Sequence, residues 1–123
     1  MVVNLSEKHS LLSNWVAELR DTEMQRDRMR FRRNLERIGE VMAYELSRTL
    51  PATDREVTTP LGTSVCRVLE AQPVLATILR AGLPLHQGML NYFDHADNAF
   101  ISAYRKHHRD GSFEIELEYI SCP

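Results

Sequence analysis

Six residues, Val74-Leu75-Ala76-Thr77-Ile78-Leu79, make an apolar run broken only by Thr77 and closed by Arg80-Ala81-Gly82. A short, partly β-branched run of this kind predicts a strand buried on both faces. Pro84 suits the first turn of a helix, where its missing N–H costs nothing. Leu85, Met89 and Phe93, four residues apart, then give that helix a core-facing stripe. Asp94 to Asp97 form a return loop, and Ala99-Phe100-Ile101-Ser102-Ala103-Tyr104 reads as a second strand. A strand-helix-strand unit this short has one accessible topology, a right-handed parallel crossover. That unit makes the chain α/β.

The flanking segments fit around it. Asp110-Gly111 is a strong hairpin signal. Beyond it, Phe113, Ile115, Leu117 and Tyr119 alternate with Glu114, Glu116 and Glu118, predicting a strand with one buried and one acidic face. Upstream, Thr59-Pro60-Leu61-Gly62 has Pro and Gly where a type I turn favours them, joining Arg55–Thr58 to Thr63–Leu69 as a hairpin. The first third is helical. Leu11, Leu12, Trp15, Val16 and Leu19 gather on one face of a helix beginning near Ser6. Thr22 and Gln25 have capping-box spacing for a second helix, whose stripe is Phe31, Leu35, Ile38, Met42 and Leu46 and which Pro51 ends. The organisation is therefore a helical arm (1–50), a β-hairpin (54–70) and a strand-helix-strand-hairpin core (73–123), within one domain or part of one.

Charge and cysteine content remove several classes. The 123 residues carry 15 Lys and Arg against 17 Asp and Glu, a net charge of −2. That balance argues against a dedicated nucleic-acid binder. Between Arg20 and Arg37, seven arginines face four acids. Ion pairs at helical spacing, such as Arg32 with Glu36, favour a solvated helix face; the alternative is a nucleic-acid or membrane surface, for which Phe31 alone supplies an interleaved aromatic for base stacking. Cys66 and Cys122 are isolated, so free thiols in a reducing, cytoplasmic setting are expected, with Cys66 a packed side chain. Neither a secretory signal nor a membrane span is legible.

Arg80 follows the first parallel strand and Arg105 the second, so both belong at the carboxyl-end rim, where open α/β sheets bind ligands. With the Gly82–Pro84 turn opening a helix, Arg80 could cradle a phosphate. Equally, Arg80 could be a rim residue paired with a carboxylate, and Arg105 to Arg109 a solvated hairpin tip. His107 and His108 point to opposite faces of a strand and do not suit one metal. His86, one position past Leu85, reads as a packed or boundary histidine.

The segment Ile78-Leu79-Arg80-Ala81-Gly82-Leu83, followed by Gly88-Met89-Leu90 and then Tyr104-Arg105, resembles uracil phosphoribosyltransferase. Arg26 to Tyr44, with Phe31-Arg32 and Ala43-Tyr44-Glu45, resembles that family's N-terminal helix. The resemblance implies an N-terminal helical arm, a β-hairpin and the start of a mainly parallel, Rossmann-like sheet. It implies transfer of phosphoribosyl from phosphoribosyl pyrophosphate (PRPP) to N1 of uracil, giving uridine monophosphate (UMP) and pyrophosphate in pyrimidine salvage. Mg2+ would accompany the donor, an allosteric GTP is a further ligand to consider, and a homodimer or larger assembly is expected. By the same resemblance Arg80 and Arg105 contact donor phosphates, while Ala81 and Gly82 form the turn beside the leaving pyrophosphate. Thr77 stands where the family usually has proline, Gln87 where it has aspartate, and Lys106-His107-His108 where an acidic residue follows. The family's phosphate and uracil loops would lie beyond Pro123, which makes these residues the N-terminal, donor-binding half. The alternative is a catalytically silent relative or fragment acting as an assembly module.

Overall fold

A computed structural model describes all residues, Met1 to Pro123. Helix α1 (Leu11–Arg20) starts where the Ser10 side chain accepts the Leu12 N–H at 3.2 Å, five residues later than Ser6. The capping-box expectation at Thr22 is not met. Asp21 instead accepts the N–H groups of Glu23 and Met24, supporting a single 3-10 turn (Met24–Arg26). Asp27 then caps helix α2 (Arg28–Ser47) through the Arg30 N–H at 3.0 Å. An Asx cap closer to the first helical residue competes better for the free N–H groups than Thr22 does.

Strands β1 (Ala52–Thr59) and β2 (Gly62–Leu69) pair antiparallel around Pro60-Leu61, with Gly62 at φ 133°. That hairpin is longer than expected at the β1 end. Strand β3 (Val74–Leu79), helix α3 (Leu83–Tyr92) and strand β4 (Asp97–His107) form the parallel crossover, with Leu75 opposite Asn98 and Leu79 opposite Ser102. Strand β5 (Phe113–Ser121) returns antiparallel after Gly111, with a bulge at Ser102/Ala103, so the sheet order is β3-β4-β5. Mixed α/β architecture is thus as expected.

The packing differs from the sequence expectation in three places. The buried residues of α2 are Asn34, Gly39 and Ala43, whereas Phe31, Met42 and Leu46 are exposed. Small side chains let α2 lie backbone-close on α3, and the large apolar ones cannot enter that contact. Strand β3 is covered on one face only: Leu75 joins Ala43, Phe93 and Ala96 in the core, while Val74 and Ile78 are more than half exposed. Nor does β5 have a buried face, since Phe113, Ile115, Leu117 and Tyr119 are all exposed. Helix α3 lies on the sheet against β3 and, through His86, against β4, while α2 reaches it through Ala43.

Asn34, 1% exposed, ties the helical arm together. Its Nδ2 donates to Glu18 Oε2 at 2.6 Å and its Oδ1 accepts from Arg37 Nη1 at 3.1 Å. A buried amide with both ends satisfied fixes the crossing of α1 on α2. Glu36 pairs with Arg33 at 2.8 Å, not with Arg32 as the spacing suggested, and also accepts from Asn91 of α3.

Candidate functional site

At the end of β3 the chain turns sharply into α3. Gly82 N–H donates to the Ile78 carbonyl, Leu83 N–H to the Arg80 carbonyl, and His86 N–H to the Gly82 carbonyl. The N–H groups of Arg80 and Ala81 donate to no protein acceptor, and the Leu79–Arg80 peptide is cis. Gly82 is the N-cap of α3 and Pro84 stands in its first turn. A helix start with free amides ahead of it carries partial positive charge facing outward.

The Arg80 side chain is exposed and makes no ion pair. The carboxylate-paired rim reading of Arg80 therefore has no support. Arg105 extends from β4 opposite Ile115, three residues past Ser102, and its guanidinium lies 4.9 Å from the centre of the Phe113 ring. Ring stacking holds that guanidinium without consuming its N–H donors in carboxylate bonds. Beside it, Tyr104 donates its hydroxyl to Glu116 Oε2 at 2.8 Å. That bond and the Glu116 charge raise the Tyr104 pKa above its ordinary value. Both arginines lie past the Leu79–Ser102 end of the parallel pairing, Arg80 in the turn after β3 and Arg105 within the part of β4 that pairs with β5.

Other residues singled out by the sequence lie apart from this rim. His86 is buried, with Nε2 2.7 Å from Asn98 Oδ1 and its ring 5.3 Å from Phe100, so it is the packed histidine expected. Its neighbours line a cavity of about 480 Å3 between α2, α3 and β4, together with Arg32 and Gln87. His107 packs on Phe113, whereas His108 faces Glu114. Cys66 is half-buried and Cys122 exposed, both as free thiols. No helix is long and apolar enough to cross a membrane.

The role of one residue escaped the sequence reading, which marks Thr77 only as the break in the apolar run and as a departure from the family's proline. A Cβ on Gly82 would collide with Thr77 Oγ1 and come within 2.8 Å of the Ile78 carbonyl oxygen. Thr77 is therefore directly beneath the turn. The available signal was a lone hydroxyl in an otherwise aliphatic strand.

A family model for uracil phosphoribosyltransferase matches residues 6–118, spanning the arm, the hairpin, the Arg80 turn and most of β5. The chain belongs to the uracil phosphoribosyltransferase family. A uracil phosphoribosyltransferase of Porphyromonas gingivalis is 57% identical over 122 residues, covering 99% of this chain and 56% of its own length. Another, from Thermococcus gammatolerans, is 36% identical over 110 residues, covering 88% of this chain and 47% of its own. Among solved structures, the AQ2163 protein from Aquifex aeolicus superimposes with a TM-score of 0.79 at 26% identity, covering 100% of this chain and 56% of that one. The chain spans about half the length of the curated relatives it matches.

Proposed function

We propose that this chain is the donor-binding part of a cytoplasmic uracil phosphoribosyltransferase. In the reaction, N1 of uracil bonds to C1 of the ribose, the C1–O bond to pyrophosphate breaks, and the N1 proton is lost. Negative charge grows on the departing pyrophosphate, so fixed donors aimed at it lower the barrier. One observation carries the proposal: Arg80 and Ala81 hold free backbone N–H groups at the head of α3, next to an arginine side chain with no carboxylate partner. Arg80 and Arg105 supply the charged forks, and Ala81 and Gly82 supply the close backbone approach.

Magnesium enters this reading only with the donor. No group of three or more His, Cys, Asp or Glu side chains converges to hold a resident metal. A cation that keeps several waters and binds substrate phosphates needs no such cage. GTP has no assigned residue. UMP formation is a property proposed for the whole family enzyme.

Calorimetric titration of Mg·PRPP into the chain, with Mg·ribose 5-phosphate as control, tests the proposal. Saturable binding of PRPP, tighter than the monophosphate, is expected. Absence of PRPP binding by a folded sample would overturn it. Incubated with uracil, PRPP and Mg2+, these 123 residues alone are expected to give no UMP above a no-protein control.

A further inference from the structure

Thr77 sits on β3 in step with Leu75 and Leu79, the face that looks toward α3. Its hydroxyl oxygen occupies the space that a side chain at position 82 would need. The turn therefore rests on Thr77. Its Oγ1 forms no hydrogen bond within the protein, so its contribution is made through contact with Gly82.

We propose that Thr77 is a positioning residue for the donor site, its Oγ1 acting as the floor that holds the Arg80-Ala81-Gly82 turn in phosphate-binding geometry. This rests on the donor-binding role assigned to that turn. The physical case is one of size. An oxygen approaches a Cα more closely than a methyl carbon does, so Thr77 supports Gly82 at a distance that Val would enlarge. Removing the γ atoms leaves a gap under the turn, and the surrounding close-packed structure relaxes only partly into it. Either change displaces the Arg80 and Ala81 amides, whose value for binding lies in being preorganised.

The experiment is titration of Mg·PRPP into the wild-type chain and into Thr77→Ser, Thr77→Ala and Thr77→Val, with the melting temperature of each recorded. Thr77→Ser keeps the oxygen and is expected to bind like wild type. Thr77→Ala and Thr77→Val are expected to bind roughly tenfold more weakly per folded molecule, less than the roughly hundredfold that a full ångström of misplacement can cost a catalytic site. A residue serving only the strand would behave otherwise, because Val has the higher strand propensity and would preserve or raise both stability and affinity. Wild-type binding accompanied by unchanged affinity in Thr77→Ala or Thr77→Val would overturn the proposal. Loss of affinity in Thr77→Ser equal to that in Thr77→Ala would also overturn it. If the folded wild type binds no PRPP, the donor-site assignment itself fails and this role falls with it.

Discussion

Gly39 and Gly88 meet where α2 crosses α3: a Cβ built on Gly39 would lie 3.1 Å from the Gly88 Cα, and one on Gly88 would strike the Glu36 carbonyl oxygen. The helices touch backbone to backbone. Gly88→Ala should stabilise an isolated helix by about 1 kcal/mol through propensity. Here it is expected to destabilise the chain by roughly 1–3 kcal/mol, because neither partner at the contact is a flexible side chain. Urea unfolding measures the sign. A variant as stable as wild type would show that the crossing yields at little cost.

That crossing explains what the sequence did and did not reveal. Val74–Leu79, Pro84 and Asp110-Gly111 act through local rules, so β3, α3 and the β4–β5 hairpin were legible within a residue or a few. The burial of α2 was not. Hydrophobic periodicity selects Phe31, Met42 and Leu46, but contact with α3 is decided by the absence of side chains at Gly39 and Gly88. The place of Arg80 just after β3 followed from strand order, whereas β4 runs on past Tyr104 to His107 and holds Arg105 within its ladder with β5. Support from below by Thr77 and stacking of Arg105 on Phe113 depend on side-chain directions that a linear pattern does not carry.

Glu36 links the same two helices electrostatically. The hydrogen bond from Arg33, and then that from Asn91, hold its carboxyl below the usual carboxylate range. A folded-state pKa below the unfolded one contributes stability that is complete above the unfolded pKa and is lost as pH falls through the folded one. Wild type should therefore exceed Glu36→Gln in stability at neutral pH, by less than about 1 kcal/mol because Arg33 is half exposed. The difference should fade below the carboxylate range. Paired thermal melts across acid pH check this, and a gap that widens on acidification would contradict the assignment.

Self-association is expected from the surfaces left open. Phe113, Ile115, Leu117 and Tyr119 lie exposed along an edge strand, and Leu61 at the hairpin tip is fully exposed. Unpaired strand edges and contiguous apolar surface recruit partners. In sedimentation at high concentration the chain should run heavier than 14.2 kDa, as a homodimer or larger. A single species at the monomer mass would refute that expectation.

The two rim arginines are expected to part from ordinary surface arginines when replaced. Each charge-assisted bond to a donor phosphate contributes roughly 1.5–3 kcal/mol, and about 1.4 kcal/mol is a tenfold change. Arg80→Ala or Arg105→Ala should thus weaken PRPP binding roughly 10- to 150-fold. Lysine should recover only part of it, since it keeps the charge and loses the planar fork. Arg105 carries a further consequence, because its guanidinium is steadied by the Phe113 ring. Phe113→Leu should loosen that fork and weaken PRPP binding less than Arg105→Ala does. Calorimetry against PRPP, with melting temperatures alongside, separates the roles. If Arg80→Ala lowers the melting temperature and leaves affinity per folded molecule intact, Arg80 is a structural rim residue; if Arg105→Ala changes neither quantity, Arg105 belongs to the solvated hairpin and not to the donor site.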